Sequence, residues 1–311
     1  MVRIAGARAS IQRRFDSAAE PVASSVFGPS PTAPGICTAQ RTALRSAAQA
    51  PRLGPVPMPR LSVVVITRNE AGNIRAALRS VRWADELVVV DSGSTDDTMR
   101  IAREIADRVT TREWAGYGAQ KNHATGLAAH DWVLSLDADE RVSPSLAHEI
   151  QALLRHEPAA RGYRIPRVTR YLGRWIRSTD WHPDLPLRLY DRRNARWNER
   201  LVHESVAVDG PVDRLQGELE HHAYRDVSHH LQTIDRYTTL AARQMHRDGR
   251  RAGWVDVAAR PLAAFLRNYV VRRGVRDGMH GLIISMLNAG YVFLKFVKLW
   301  ERQRGGGSDR D

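Results

Sequence analysis

Cysteine is almost absent from this chain of 311 residues, and Cys37 stands alone. One cysteine cannot form a disulfide within the chain, and it leaves no cysteine cluster that could hold zinc. Because proteins of oxidising compartments usually carry paired cysteines, the composition favours a reducing compartment.

A long uncharged apolar run is also missing. A membrane-spanning helix needs roughly 18 or more such residues. The nearest candidate, residues 281–300, is interrupted by Asn288, Lys295 and Lys298. The sequence alone therefore does not predict an integral membrane protein.

Acidic residues are outnumbered by basic ones. The sequence has 47 lysines and arginines against 34 aspartates and glutamates, which gives a formal net charge of +13. Such a charge favours anionic partners, namely nucleic acid, anionic lipid or phosphorylated substrates. It does not choose among them.

The first 59 residues are especially poor in acids, with only Asp16 and Glu20, and show no sustained periodicity. Such a composition buries too little apolar surface to order itself. No apolar segment marks a secretory signal. We expect residues 1–59 to be either disordered or a mis-assigned leader, with the native start at Met58. Residues 304–311 are expected to form a disordered tail.

From residue 60 onward, apolar β-branched runs alternate with segments of helical spacing. The strongest runs are LSVVVIT, ELVVVD and WVLSLD, and each is typical of a buried parallel strand. This alternation predicts an α/β fold with a doubly wound, mostly parallel sheet. We place that domain at residues 60–225, followed by a helical region at 226–303 in which Pro261 starts a final helical pair.

Acidic residues follow three of the predicted strands. Glu70 lies in the turn after the first strand, Asp91 ends the second, and Asp137 and Asp139 follow the strand that begins at Trp132. Ligands of doubly wound sheets bind at the carboxyl ends of the strands. The first turn lacks the GxGxxG pattern of dinucleotide-binding folds, so the phosphates of a bound nucleotide must be held in another way.

Asp137 and Asp139 supply such a way. Alternate residues at a strand end can aim two carboxylates at one Mg²⁺ or Mn²⁺, and these ions commonly bridge protein carboxylates to substrate phosphates. The alternative is that this Asp-rich turn only caps the helix at Ser143. The acids at the two preceding strand ends favour the metal site.

Four segments in order, TRNEAGNI, VVVDSGSTDDT, GAQKNHA and LSLDADER, resemble the motifs of family 2 glycosyltransferases. The later segment LPLRLYDRRNARWNERLVHE and residues 275–278 are similar to lipopolysaccharide core glycosyltransferases of that family. The resemblance covers about residues 60–300. It implies a GT-A-type fold and an inverting, metal-dependent transfer of a sugar from a nucleoside-diphosphate donor, with UDP as the expected nucleotide.

By this resemblance, Thr67, Glu70 and Asp91 hold the base and ribose of the donor, and Asp91 accepts a hydrogen bond from the uracil ring. Lys121 is expected near the diphosphate, where a point charge suits phosphate oxygens. The alternative for Lys121 is a solvated residue on a helix.

The resemblance also assigns Asp137 and Asp139 to Mg²⁺ or Mn²⁺, which neutralises charge on the leaving diphosphate. Glu140 is either a third ligand or, as we expect, an acid at the N-terminus of a helix. Arg188 is expected to contact phosphate.

An inverting transfer needs a general base for the acceptor hydroxyl. Glu204 is our candidate because it ends a segment that resembles the family, while Asp180 is the competitor and Glu199 a third candidate. His203 is expected to pack or to orient its neighbours. Three tryptophans either stack on sugar rings or pack the domain: Trp175, Trp181 and Trp197.

The C-terminal region combines apolar side chains with arginines and lysines. Amphipathic helices with cationic flanks bind anionic bilayer surfaces, although a helix packed on its own domain shows the same pattern. Together with the resemblance, this favours a lipid-linked saccharide acceptor and a peripheral position on the inner face of the cytoplasmic membrane.

Three other functions fit the sequence less well. A nucleotidyltransferase usually has a Gly-rich basic loop after its first strand, which this chain lacks. A nucleic-acid-binding protein would need a binding motif, and none is present, so we expect no nucleic-acid partner. Transfer to a polyprenyl phosphate usually goes with long spanning helices, which the sequence does not show.

Overall fold

The computed structural model describes residues 58–198 and 204–305. The expectations for the leader before residue 58, for the chain after residue 305, and for Glu199 and His203 fall outside the described residues.

Short strands and helices alternate through the first two thirds of the described chain, and long helices follow. The strands are β1 (Leu61–Thr67), β2 (Glu86–Asp91), β3 (Arg108–Thr111), β4 (Trp132–Asp137), β5 (Glu140–Val142), β6 (Gly162–Arg164), β7 (Arg167–Tyr171), β8 (Arg174–Ile176), β9 (Leu187–Asp191), β10 (Ala195–Trp197), β11 (Val206–Val208), β12 (Val212–Arg214) and β13 (Leu219–His221). The helices are α1 (Ile74–Arg79), α2 (Thr98–Arg103), α3 (Tyr117–Leu127), α4 (Pro144–Leu153), α5 (Val227–Arg247), α6 (Trp254–Leu266) and α7 (Gly278–Gln303).

The main sheet has seven strands in the order β12-β6-β9-β4-β1-β2-β3. β1 pairs in parallel with β2 and β4, and β2 pairs in parallel with β3. β9 runs antiparallel to both of its neighbours, β4 and β6. The predicted α/β fold with a mostly parallel sheet is confirmed, and the register places Thr67 opposite Asp91 and Ile66 opposite Asp137 at one sheet edge.

Both faces of the main sheet are covered, which explains why β1 is an unbroken apolar run. Successive side chains of a strand point to opposite faces. Val63 and Val65 accordingly join the core under α1 and α4, whereas Val64 and Ile66 join a second core under α3. All seven residues of β1 are buried.

A smaller sheet, in the order β5-β13-β7-β8, lies next to the end of β4. β13 pairs antiparallel to β5 and parallel to β7. Because β5 begins only three residues after β4 ends, this sheet brings β13 and β7 to the carboxyl edge of the main sheet. The pair β10–β11 is separate from both sheets.

The C-terminal region is helical from Val227, as predicted, but Pro261 does not start a helix. α6 begins at Trp254, where the backbone N–H of Gly253 donates to Oδ2 of Asp256 at 2.9 Å. This cap sets the helix start seven residues before Pro261 and places the proline inside α6. A π-helical turn (Arg267–Val271) and a 3-10 turn (Gly274–Asp277) lead into α7.

The segment Gly274–Gln303 is the one stretch of the described residues that is long and apolar enough, by length and composition, to cross a membrane. The candidate taken from the sequence, residues 281–300, includes Lys295 and Lys298. Residues 278–294 contain no Asp, Glu, Lys or Arg, so an apolar stretch that begins earlier avoids both lysines. In the structure the far half of α7 lies on α5: Nζ of Lys298 is 2.8 Å from Oδ1 of Asp235.

The start of α7 packs closely on the turn before it. A Cβ atom added to Gly281 would lie 1.8 Å from the carbonyl oxygen of Gly274, whereas one added to Gly290 would meet nothing within 4 Å. Only glycine therefore fits at position 281.

Replacement of Gly281 tests this packing. Gly281→Ala is expected to destabilise the protein by about 1–3 kcal/mol, because backbone must move to admit the methyl group. Thermal unfolding should show a lower Tm for this variant. The matched Gly290→Ala, in the same helix, should stabilise α7 slightly, since alanine is the better helix former. Equal Tm values for the two variants would contradict the packing described.

Candidate active site

The turns after β1 and β2 are tied together into one structure. The Ser92 N–H donates to the carbonyl oxygen of Thr67 at 2.9 Å. Oδ1 of Asn69 accepts from the Thr95 N–H at 2.8 Å, and the Glu70 N–H donates to Oγ1 of Thr98 at 2.7 Å. The sheet therefore brings together Thr67, Glu70 and Asp91, as the sequence predicted.

Asp91 organises its own turn. Its Oδ2 accepts from the backbone N–H groups of Gly93 and Ser94, at 2.9 and 2.8 Å. Gly93 has φ of +80°, a conformation that glycine adopts without strain. The role of Asp91 toward a uracil ring stays a prediction. Oδ1 of Asp91 accepts from the Ser94 hydroxyl. A carboxylate has about four acceptor sites, so these three bonds leave room for one further donor.

Lys121 is buried, with 2% of its side chain exposed, so the alternative of a solvated helix residue is wrong. Its Nζ lies 3.0 Å from Oδ1 of Asp137 and 3.9 Å from Oε1 of Glu204. The same atom is 4.5 Å from the centroid of the Trp197 ring. α3 is held in place by Gln120, whose Nε2 donates to Oγ of Ser92 at 3.0 Å.

Arg188 lies on the other side of Asp137. It donates to Oδ2 of Asp137 at 2.5 Å and to Oε1 of Glu140 at 2.7 Å. Glu140 also accepts from Arg167 at 2.8 Å, and Arg167 pairs with Asp184 at 2.5 Å. The observed partners of Arg188 are thus carboxylates, and its predicted phosphate contact stays a prediction.

Glu140 is not the helix N-terminal acid that we expected. It lies in β5 and is fully buried, while α4 begins four residues later with Ser143 as its cap. Besides its two arginine partners, Glu140 accepts a hydrogen bond from the Asp137 N–H at 3.0 Å. Its position fixes the backbone at the end of β4.

The pKa values of Asp137 and Glu204 are shifted in opposite directions. Burial alone would raise the pKa of Asp137, but the cations of Arg188 and Lys121 outweigh it and lower that pKa below the usual range. Burial raises the pKa of Glu204, although the charge of Lys121 opposes the rise. Within the described residues, Oε2 of Glu204 has no hydrogen-bond partner.

Asp180 belongs to a different set of contacts. It pairs with Arg267 and lies 3.6 Å from Nε of Arg272. Its backbone N–H donates to Oδ1 of Asn268 at 2.6 Å. The structure thus joins Asp180 to the segment that follows α6, and its candidacy as a base has less geometric support than that of Glu204.

The three tryptophans have different surroundings. Trp181 stacks on Tyr224 with ring centroids 5.4 Å apart and packs inside an aromatic cluster. Trp197 is buried, and its Nε1 donates to the hydroxyl of Tyr190 at 2.9 Å. Trp175 is half-buried, and its ring lies 5.6 Å from that of His222, centroid to centroid.

Two histidines that the sequence analysis did not single out lie beside Asp139. Nε2 of His221 is 3.6 Å from Oδ2 of Asp139, and the His222 N–H donates to the Asp139 carbonyl oxygen at 2.8 Å. Burial lowers the pKa of His222 to about 4, so its ring is neutral at pH 7. The sequence signal was the pair His221-His222, but its distance from Asp139 along the chain hid the contact.

These side chains suit a divalent cation only in part. Asp137 and Asp139 offer carboxylate oxygens at one strand end, and the His221 imidazole lies beside Asp139, but no three Asp, Glu, His or Cys side chains of residues 58–198 and 204–305 converge as a ready site. Mg²⁺ and Mn²⁺ are often held by one or two carboxylates, with substrate phosphates and water completing the shell. The donors present fit that kind of site.

A doubly wound sheet with paired carboxylates at the carboxyl ends of its parallel strands is the arrangement expected of a GT-A-like transferase. The family model for glycosyl transferase family 2 matches residues 62–208. An uncharacterised glycosyltransferase of Rickettsia prowazekii is 30% identical over 260 residues, covering 78% of this chain and 87% of the relative. The lipopolysaccharide core biosynthesis glycosyltransferase LpsC of Rhizobium meliloti is 30% identical over 255 residues, covering 79% and 94%.

The chain therefore belongs to glycosyltransferase family 2 and is a glycosyltransferase with a GT-A fold. Among solved structures, the mannosyltransferase PcManGT of Pyrobaculum calidifontis, in complex with GDP-Man and Mn²⁺, matches 78% of this chain and 87% of its own at 19% identity and a TM-score of 0.45. TarS of S. aureus, residues 1–349 with UDP-GlcNAc, matches 81% and 93% at 15% identity and a TM-score of 0.42.

The ion pairs of Asp137 predict a stability effect. Asp137→Asn removes the charge that compensates Lys121 and Arg188, and the loss of one partner from a buried pair costs about 3–5 kcal/mol. We expect a clearly lower Tm at pH 7. The folded state lowers the pKa of Asp137, so the charge of Asp137 stabilises the protein fully above the unfolded pKa of about 3.9. As the pH falls below that value toward the folded pKa, this stabilisation is lost, and the difference in Tm between the unmodified protein and Asp137→Asn narrows.

Asp97→Asn is the matched control. Asp97 pairs with Arg100 at 3.0 Å, but both side chains are more than half exposed, so its replacement should leave Tm unchanged. An Asp137→Asn variant as stable as this control at pH 7 would contradict the compensating role of Asp137.

Proposed function

We propose that this enzyme transfers a sugar, with inversion, from a nucleoside-diphosphate donor to a lipid-linked saccharide such as lipopolysaccharide core. One observation carries the proposal: Lys121 lies between Asp137, at the end of β4, and Glu204, within 4 Å of both carboxylates. A cation, a candidate metal ligand and a candidate base thus share one buried place.

The donor is proposed to be UDP-linked. Thr67, Glu70 and Asp91 lie at the joined strand ends and turns where the base and ribose would bind. Lys121 follows Gln120, which contacts Ser92 next to Asp91, so the diphosphate is proposed to bind beside Lys121. Mg²⁺ or Mn²⁺ would be held by Asp137 and Asp139, and it would supply neutralisation of the charge that develops on the leaving diphosphate. Arg188, already beside Asp137, is proposed to add positive charge at that end.

Glu204 is proposed as the general base. The acceptor hydroxyl gives its proton to the Glu204 carboxylate as its oxygen forms a bond to the anomeric carbon, and the bond from that carbon to the diphosphate oxygen breaks. Burial raises the pKa of Glu204 and so makes the carboxylate a stronger base than an exposed one. The charge of Lys121 opposes this rise and favours the ionised form.

The acceptor and its location rest on the family. LpsC, with which the chain shares 30% identity over most of its length, is named for lipopolysaccharide core biosynthesis. A saccharide that grows on a lipid presents its end at the membrane surface. We therefore place the enzyme at the inner face of the cytoplasmic membrane, held peripherally.

Replacement of the two base candidates tests the proposal. Core-truncated lipopolysaccharide would be incubated with UDP-glucose and other UDP- and GDP-sugars, and release of nucleoside diphosphate would be followed. Glu204→Gln should lower kcat by about 10²–10⁴-fold, since it removes proton transfer. Nucleotide binding should persist, because glutamine keeps the shape of the side chain.

Asp180→Asn is the comparison variant, expected to keep most of the activity because Asp180 pairs with Arg267 and Arg272. If Asp180→Asn lost most of the activity while Glu204→Gln kept full activity, Asp180 would be the general base instead of Glu204. No nucleotide release from any sugar nucleotide by the unmodified protein would contradict the proposed reaction.

A further inference from the structure

Helix α6 and the π-helical turn after it expose an apolar face to solvent. Val255, Leu262, Leu266 and Val270 recur at helical spacing, and each is about half exposed or more. Trp254, at the start of α6, is 79% exposed. Large apolar side chains that recur on one outward face are unusual for a solvated helix and mark an interaction surface.

Helix α7 carries a second exposed apolar row. Met279, Met286, Phe293 and Trp300 follow one another at intervals of seven residues, which is close to two helical turns, and each is at least 40% exposed. We call the exposed apolar residues of α6, of α7 and of the turns between them the apolar surface. It comprises Trp254, Val255, Leu262, Leu266, Val270, Val271, Val275, Met279, Met286, Phe293 and Trp300.

The apolar surface is distinct from the face by which these helices pack on the protein. Ala242, Ala252, Phe296 and Leu299 form the core between α5, α6 and α7. Since this core already accounts for the inward face, the outward apolar residues are not needed for folding and are available to a partner.

A cavity with a volume of about 320 Å³ lies at the Trp254 end of the helices. It is lined by Met245, Arg250, Arg251, Asp256, Arg260 and Phe296. Nε of Arg260 pairs with Oδ1 of Asp256 at 2.5 Å. Arg250 and Arg251 are exposed, and no acidic side chain of the described residues pairs with either. The cavity thus offers two arginines to an anion.

The groups at this end of α6 are of the kinds that bind a lipid surface. Arginine binds phosphate oxygens, tryptophan prefers the level of the lipid headgroups, and aliphatic side chains enter the boundary of the acyl chains. Arg250 and Arg251, Trp254 and Val255 supply all three kinds and are all exposed. Exposed Arg273 and Arg276 add positive charge at the other end of α6.

We propose that the apolar surface inserts into the headgroup region of an anionic bilayer, and that Arg250 and Arg251 bind the phosphate of a lipid of net negative charge at the cavity. The proposal rests on the proposed function only in that the lipid-linked acceptor lies at the same surface. Charge complementarity favours this partner, because exposed arginines lie at both ends of α6 and an anionic bilayer presents negative charge over its whole surface.

Vesicle binding by the full chain tests the proposal without any donor or acceptor. Cosedimentation would be measured with vesicles of equimolar phosphatidylglycerol and phosphatidylcholine and with phosphatidylcholine alone. Arg250→Gln/Arg251→Gln should bind the anionic vesicles about 30-fold more weakly, since each basic residue near the surface contributes about fivefold. Its binding to phosphatidylcholine should stay within about twofold of the unmodified protein.

Trp254→Ser/Leu262→Ser should weaken binding to both kinds of vesicle by at least about 10-fold, through the loss of apolar insertion. These side chains are 79% and 61% exposed, so folding should survive, and unchanged Tm would verify it. Arg103→Gln/Arg155→Gln removes the same charge from exposed sites outside the C-terminal helices and should keep binding within about threefold.

Three results would overturn the proposal. The first is no binding of the unmodified protein to anionic vesicles. The second is an equal loss in both arginine pairs, which would reduce the effect to net charge. The third is a dimer in solution that the Trp254 variant abolishes, with vesicle binding unchanged, which would assign the apolar surface to a second copy. Each outcome is independent of sugar transfer, so failure here and failure of the proposed reaction can be told apart.

Discussion

A chain of buried ion pairs at the end of β4 holds the candidate active site together. Lys121, Asp137, Arg188, Glu140, Arg167 and Asp184 alternate in sign, and consecutive members are 2.5 to 3.0 Å apart. They come from α3, β4, β9, β5, β7 and the loop before β9. Burial of single charges would cost several kcal/mol each, and alternation of sign offsets that cost. The elements are therefore fixed relative to one another at the site where chemistry is proposed.

This arrangement also bears on how Asp137 could serve a metal ion. Its two oxygens already face Lys121 and Arg188, so a cation that binds there adds to existing positive charge unless an anion arrives with it. A nucleoside diphosphate brings such negative charge. Binding of metal and nucleotide is accordingly expected to be mutually dependent.

The sheet and its acidic edge were predictable because they depend on local pattern. β1, β2 and β4 are unbroken apolar runs, and parallel neighbours bring their ends to one edge, so Asp91, Asp137 and Asp139 could be placed from the sequence. The ion partners could not, because Arg188 is 51 residues from Asp137 along the chain. Glu140 was misjudged for that reason, and the burial of Lys121 was left undecided, because burial and partner choice come from tertiary packing. Pro261 misled because a proline can sit within a helix whose start is set by another cap.

The C-terminal helical region has one face packed on the rest of the protein and one face exposed to solvent. Inward, Ile284 joins Tyr171 and Ile176 of the smaller sheet in one core, and the Asp180 contacts join the same parts. Outward, it presents the apolar surface. If that surface lies on a bilayer, the inward contacts fix the distance and tilt of the catalytic sheet relative to the lipid.

The carboxyl ends of β1, β2 and β4 are proposed to bind a nucleoside diphosphate together with a divalent metal. Calorimetric titration of the full chain with UDP, with and without Mn²⁺, tests it most directly. We expect binding that requires Mn²⁺, that is lost in Asp139→Asn, and that is retained in Asp131→Asn, a change at the exposed opposite end of β4. Absence of UDP and GDP binding under every metal condition, in a protein that remains folded, would contradict it.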